Sequence, residues 1–484
     1  MSDTISSIKL ASDYNLVYVN LLTASLASPL PLRNQLKELN YYEDIYSSTI
    51  YGELVLNDAT NIISNLRLNG TEFIEFKFQK TTNDNVSIER TFRVYKIGDR
   101  LTDASKNQES FIIYFCSEEL MISERYRISK AYRNTPISMI VEDIFTNYLK
   151  LTPMAVGMTR PTQAQTKLYY IDPTLGIYDF ILPNKKIFET IHWLSLYSRP
   201  ANFNPGADFL FFENINGYNF VSLQTLFSKD AFKSLYYNPQ NISIEIKDQA
   251  INVIHMEVVK FFDVLEATSQ GTFHNRVITI DPLTRNIFAN DFLYNQYFAL
   301  AKTLNMSPLT TSLQNRWGDT MYYPPNDIRT EAGALRIVPG NYNQKTIFTD
   351  TIQNDSVAHD VHVQDYLPNR VAQLGLNNYM KIKVSIPGDS QIYVGMKLQF
   401  NCFDLTPTQL TTPNSDSKGL DVFYSGYYLV TAVRHIINNT EYQTIIEMIK
   451  ESFGSDKSEF LPAPPNPLTQ GFKNAVNGIQ NVKS

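Results

Sequence analysis

The segment NGTEFIEFKFQ, residues 69–79, alternates apolar and charged side chains: Ile74, Phe76 and Phe78 lie on one side, Glu75 and Lys77 on the other. A period of two suits a strand with one buried face, because successive side chains leave a pleated backbone in opposite directions. The pattern recurs along the chain. In STIYGELVL, Ile50, Leu54 and Leu56 share a face, with Tyr51, Glu53 and Val55 opposite. In NYMKIKVSIPG, Met380, Ile382, Val384 and Ile386 line up. The hairpin YSGYYLVTAVRHIINNTEYQTIIEMIKESF, residues 424–453, sets Tyr442, Thr444, Ile446 and Met448 against Ile445, Glu447 and Ile449, after a turn at Asn438-Asn439. These segments predict a mainly β protein with α+β insertions.

A chain of 484 residues exceeds what one core organises, and about two to four domains are expected. Residues 1–117 read as a first strand-rich unit with one short helix, capped by Asp58 and apolar along Ile62, Ile63 and Leu66. Residues 118–241 read as an α+β insertion. Its helices are NTPISMIVEDIFTNYL, with Thr135 at the N-cap, and NKKIFETIHWLSLYS, capped by Asn184; its strands are DFLFFEN and YNFVSL. A second, discontinuous strand-rich unit takes 242–263, beginning with the alternating NISIEIKD, and 366–453. Between its parts, 264–365 reads as a long loop-rich insertion with one helix candidate, NDFLYNQYFALAKTLN. Residues 454–484 form a Pro-rich linker, SEFLPAPPNPL, and a weak C-terminal helix. Its stripe Leu468, Phe472, Val476 and Ile479 is the candidate partner-docking segment, with a frayed terminus as the other reading.

The chemistry is sparse. A net charge of −6 without a Lys/Arg run argues against tight nucleic-acid binding. Cys116 and Cys402 are too few for a disulfide scaffold and read as buried small hydrophobes. Residues 15–32 imitate a signal peptide, but Asp3 and Asp13 face a lone Lys9, and Asn15, Asn20 and Thr23 interrupt the apolar run. No run is long enough for a membrane span, so assembly in the cytoplasm without stable membrane insertion is expected.

No phosphate loop, dinucleotide fingerprint, nucleophile elbow or zinc-binding helix signature is present. His359 and His362 stand three apart without a third ligand and read as an exposed loop. His192 reads as a packed or rim residue, and His255 and His435 as strand residues; His274 is isolated. Residues 414–425 hint at a calcium loop through Asn414, Asp416 and Gly419, but Lys418 and Ser425 occupy ligand positions. Glu118-Glu119 and Glu142-Asp143 read as solvated faces and caps. No catalytic, cofactor or metal residue is assigned, and no cofactor is expected.

The strand–helix–strand run YGELVLNDATNIISNLRLNGTEFIEFKF resembles the first barrel of the baseplate central hub subunit of contractile-tailed bacteriophages. The C-terminal run, NYMKIKVSIPG, VGMKLQF and the hairpin carrying Tyr428, Val430, Val433 and His435, is similar to the end of that family's second barrel. The helices TPISMIVEDIF and IFETIHWLSLYS sit where the family's insertion carries comparable helices. The sequence departs from the pattern in 264–365, in the loop 403–423 and in the tail.

The resemblance implies two tandem tail-tube-like β-barrel domains per chain and a homotrimer forming a pseudo-hexameric ring. This virion protein of the tail baseplate would join the hexameric tail tube, or its initiator, to the central spike and contact other baseplate (wedge) proteins. DNA would pass its lumen without specific binding. Two other readings stay open: a β-rich tail-associated hydrolase, which needs two carboxylates at working separation, and a sugar-binding adhesin, which the aromatic content permits.

Overall fold

The computed structural model describes residues 12–454, except 25, 27, 81–86, 104–107, 155–166, 204–207, 239–250, 281, 283–284, 286, 309–333, 340–362, 404–419 and 422. The strand expected in NISIEIKD, the pair His359 and His362, most of the calcium-like loop, and the stripe Leu468, Phe472, Val476 and Ile479 lie outside the described residues.

The chain is mainly β with helical insertions, and one 13-stranded sheet organises it. The N-terminal strands are β1 (Tyr14–Leu22), β2 (Leu30–Pro31), β3 (Leu36–Asp44), β4 (Tyr51–Asp58), β5 (Phe73–Lys80), β6 (Ser87–Asp103) and β7 (Gln108–Cys116). They lie in the order β3-β4-β7-β6-β5-β1-β2. Beyond β3 the sheet continues through the hairpin strands Gly426–Asn438 and Tyr442–Lys450, then Met380–Pro387, and ends at His255–Lys260. The two strand-rich regions are therefore not separate barrels with their own closed ladders among the described residues. They are halves of one sheet, joined where β3 pairs antiparallel with Gly426–Asn438 from Asp44↔Ala432 to Glu38↔Asn438.

That hairpin strand changes partner along its length. Gly426 to Leu429 pair with Lys397–Cys402, whereas Ala432 to Asn438 pair with β3. At the switch, the Thr431 carbonyl accepts the N–H of Ile45 at 2.8 Å. The sheet diverges there, so each half curls around its own core.

The first core holds Leu54, Phe76, Phe115 and Tyr41, completed by Ile437 and Tyr442 from the hairpin. The second holds Met380, Ile382, Val384, Phe400, Tyr428 and Met448. Each fully buried Phe or Leu contributes about 1.5–3 kcal/mol relative to exposure, which fixes the register of these strands. The alternating faces read from the sequence are those the fold buries: Ile50, Leu54, Ile74, Phe78, Ile382 and Ile446 are all fully enclosed.

In the insertion, Phe209–Asn214 and Gly217–Ser222 form an antiparallel pair buried on both faces. Phe209 and Phe211 pack with the helices Ile137–Asn147 and Ile187–Ser195, while Leu210 and Phe212 enter the second core. The expected helix caps need correction. Pro136 occupies the cap of the first helix, and the Ser138 N–H donates to the Thr174 hydroxyl at 2.9 Å; the Thr135 hydroxyl donates to the Arg133 carbonyl instead. Lys186 caps the second, where the Phe188 N–H donates to Ser123 Oγ at 3.0 Å. Distant hydroxyls displaced the local candidates. The short helix also differs: Asn61 occupies its cap without a side-chain hydrogen bond, and the expected Asp58, three residues earlier, accepts the Ile62 N–H at 2.5 Å.

The described part of 264–365 is more ordered than its Pro and Asn content suggested. Helix Val264–Gln270, strands His274–Ile280, Ile287–Leu293 and Ala334–Pro339, and helix Tyr294–Leu300 surround a separate core of Phe273, Phe292, Tyr297, Ala372 and Leu376. Asn290 to Leu293, expected to be helical, are strand; each pairs with a residue of His274–Ile280. Among the described residues no helix is long and apolar enough to cross a membrane.

Candidate assembly surface

On the face of the sheet away from the cores, polar side chains are paired across neighbouring strands. Lys77 meets Glu89 at 2.8 Å, and Tyr18 donates to the same carboxylate at 2.9 Å. The Lys77 hydrogen bond holds the Glu89 pKa below its usual range. Tyr42 and Asn40 donate to Glu53 at 3.0 and 3.1 Å, and burial pushes the Tyr42 phenol up to about 12. Arg434 reaches across the joint between the halves to Asn40 Oδ1 at 3.0 and 2.9 Å. Further on, Lys381 pairs with Glu447 at 2.9 Å. Exposed pairs of this kind contribute little stability, about 0–1 kcal/mol each. Their effect is on the surface: charges of both signs alternate instead of collecting.

Beneath the sheet, a buried ionic cluster ties the insertion to the first half. Lys167 bridges Glu119 and Glu213, the latter at 3.2 Å. Glu213 also accepts Ser117 Oγ at 2.5 Å and the Ile50 N–H at 3.0 Å. Burial opposes the Lys167 charge, but the two carboxylates outweigh it and raise its pKa. Close by in the fold, Glu43 accepts the Tyr41 hydroxyl at 2.8 Å and the Val394 N–H at 3.0 Å, linking the first half to the second. Glu119, expected on a solvated face or cap, is instead buried against Lys167; the other members carried no signal of their own in the sequence, although Glu213, within the otherwise apolar DFLFFEN, is the kind of buried charge that requires partners.

The sheet ends in two edges. His255–Lys260 has a strand partner on one side only among the described residues, and Ile254, Val258 and Val259 are exposed beside it. At the other end, the two-residue β2 covers only Asn20 and Leu21 of β1, and Val17 is exposed. Edges with unpaired peptide groups and apolar side chains are templates for pairing with another chain.

The histidines take structural positions. His435 is buried, 2.8 Å from the Tyr442 hydroxyl; His192 lies 2.7 Å from Ser48 Oγ, and burial lowers its pKa. His255 lies in the edge strand, and His274 starts a strand of the 264–365 insertion. Cys116 and Cys402 are buried free thiols, and burial pushes Cys116 up to about 11. Among the described residues no group of three or more His, Cys, Asp or Glu could hold a metal ion.

The architecture is that of a mainly-β chain with two cores under one sheet. No protein-family profile matches the sequence, and no curated protein is similar to it. Among solved structures, the chain is similar to the tail protein from Neisseria meningitidis MC58, with 8% identity, TM-score 0.49, and 90% of this chain and 97% of that one covered. It is also similar to the 43 kDa tail protein of prophage MuSo2 from Shewanella oneidensis, at 7% identity, TM-score 0.46 and coverages of 91% and 100%. A third similar structure is an E. coli component of the type VI secretion system, at 9% identity, TM-score 0.40 and coverages of 91% and 77%.

Proposed function

We propose that the chain is the structural hub subunit of a contractile phage-tail baseplate, a homotrimer that joins the tail tube to the central spike. One observation carries this reading: β3 and Gly426–Asn438 join two sheet-built cores edge to edge within one chain. Repeating that edge-to-edge relation between copies, with His255–Lys260 of one against the β1/β2 end of the next, sets six core units from three chains around one axis. A head-to-tail contact of this kind forms a ring when its rotation closes, and it leaves no exposed strand edge.

Such a ring presents sixfold repetition to a hexameric tube and threefold repetition to a trimeric spike. The polar face, with charges of both signs paired along it, would border the lumen. Among the described residues of that face no cationic track gathers to release a polyanion's counterions, and in this reading DNA slides through without being held. The role calls for assembly rather than catalysis.

Particle mass and low-resolution imaging of the purified protein test the reading. A threefold ring with a central hole is expected. A strictly monomeric chain that ignores spike protein at micromolar concentration overturns it.

A further inference from the structure

The insertion 264–365 has an apolar surface on the wrong side. In its three-stranded sheet, Asn275, Val277 and Thr279 are buried. Helix Val363–Asn377 lies against this sheet; its Pro368 carbonyl accepts from Asn275 Nδ2 at 3.0 Å, and its Ala372 and Leu376 enter the core. The opposite face carries Ile278 flanked by Ala289 and Ile337, Ile280 beside Ile287, and Leu335 beside Arg276. Ile287 and Ile337 are 66% and 61% exposed, and Leu335 is 43% exposed. The one charged pair on this face, Arg276–Asp291, is satisfied internally at 2.5 Å. A sheet wetted on one face normally turns polar side chains to the water; apolar residues on both faces mark a sheet covered on both.

The chain itself supplies a cover of the right size in the right place. Phe453 packs on the core of this same unit, and the strand it ends, Ser452–Phe453, pairs with Ser307–Pro308. The chain leaves the described structure at the next residue, Gly454. From there, residues 455–467, with Pro462, Pro464, Pro465 and Pro467, bridge up to about 40 Å at ~3.1 Å per residue when extended. They lead to Leu468, Phe472, Val476 and Ile479, whose 4-4-3 spacing gives an apolar stripe about 17 Å long at ~1.5 Å per residue. The seven-residue strand His274–Ile280 is about 23 Å long at ~3.3 Å per residue. We propose that the C-terminal segment of the chain folds back and docks this stripe on the Ile278–Ile280–Ile287–Leu335–Ile337 face of its own 264–365 insertion. The partner of the tail is then intramolecular, and the assignment stands apart from the hub reading.

Amide hydrogen exchange on the full-length chain tests it, comparing wild type with Phe472→Asp and, separately, Ile337→Asp. Both substitutions are expected to raise exchange at least tenfold in residues 287–291 and 334–339 and across 468–479. The hairpin 426–450 should stay unchanged as an internal control of folding, and the protection should not depend on protein concentration. Three results overturn the proposal. One is a tail that exchanges like free peptide in the wild type. Another is sheet protection that survives Phe472→Asp. The last is protection lost on dilution, which would assign the cover to a second copy.

Discussion

Tyr442 donates its backbone N–H to the carbonyl of Ser12 at 3.1 Å, bringing the hairpin onto the start of β1. Tyr14 reinforces the contact with a 2.6 Å hydrogen bond to the Asn438 carbonyl and an edge-on ring contact with Tyr442. The first core is thus sealed by residues from the far end of the sequence.

The seal depends on Gly388, where a Cβ would lie 2.0 Å from the Tyr442 ring. Gly388→Ala is expected to destabilise the fold by about 1–3 kcal/mol through overpacking. Tyr442→Phe removes the hydroxyl contact with His435 and should cost about 1 kcal/mol. Urea denaturation read by tyrosine fluorescence checks both; equal midpoints for Gly388→Ala and wild type would refute the packing argument.

Lys167 and its two carboxylates should behave as a unit. Lys167→Met leaves Glu119 and Glu213 buried without their cation, and removing one partner of a buried ion pair costs about 3–5 kcal/mol. Lys185→Met, which breaks an exposed, solvent-screened pair with Glu189, should leave the midpoint almost unmoved. The contrast is read from denaturation midpoints, and similar losses for the two variants would contradict it.

Glu451 makes stability depend on pH. Its carboxyl is enclosed, with Oε1 accepting the Leu304 N–H at 2.6 Å and the Ser452 hydroxyl at 3.1 Å, and burial pushes its pKa up to about 7. A folded pKa above the unfolded one means that the folded state binds the proton more tightly. The stabilisation is complete below about pH 4.5 and is lost as pH rises through about 7, a loss on the order of 3 kcal/mol. Neighbouring Lys450 shifts the opposite way: burial lowers it to about 7, so its contribution is lost as pH falls from about 10.5 to 7. Glu451→Gln is therefore expected to flatten the fall between pH 4.5 and 7 while the alkaline limb persists, since the substitution also removes a charge that supports the Lys450 cation and leaves burial to depress it. Melting temperature against pH is the measurement.

The open edge gives a prediction about assembly. Val258→Lys places a charge on the exposed core-side rim of His255–Lys260, the usual way an edge strand is protected from pairing. If the proposed ring forms through this edge, the wild type sediments as a trimer and the variant as a monomer at the same concentration, with its far-ultraviolet circular dichroism unchanged. Trimers persisting in Val258→Lys would exclude this edge from the ring.

Alternation made the strands of both halves readable, because Ile74-Phe76-Phe78 and Met380-Ile382-Val384-Ile386 each bury one side of a pleat. What lay beyond reach was mainly relational. The pairing of β3 with Gly426–Asn438 joins residues almost the full chain apart, and no local pattern encodes it. The caps supplied by Thr174 and Ser123, and the cluster around Lys167, likewise arise only when distant segments meet. Asn290–Leu293 form strand where a helix is expected because NDFLYNQYFALAKTLN mixes both periods, and the strand register overrides the helical spacing at its start.

The joint at β3 also bears on how the protein is made. Synthesis proceeds from the N-terminus, so the first half emerges from the ribosome long before Gly426–Asn438, which must lie beside it. Until then β3 offers an unpaired edge and the first core lacks Ile437 and Tyr442. A ribosome stalled shortly before residue 426 would hold a nascent chain with a sticky, unsealed sheet, prone to capture by its neighbours on the same message. Emergence of Gly426–Asn438 is thus the step at which the edge of β3 is paired and the first core is covered.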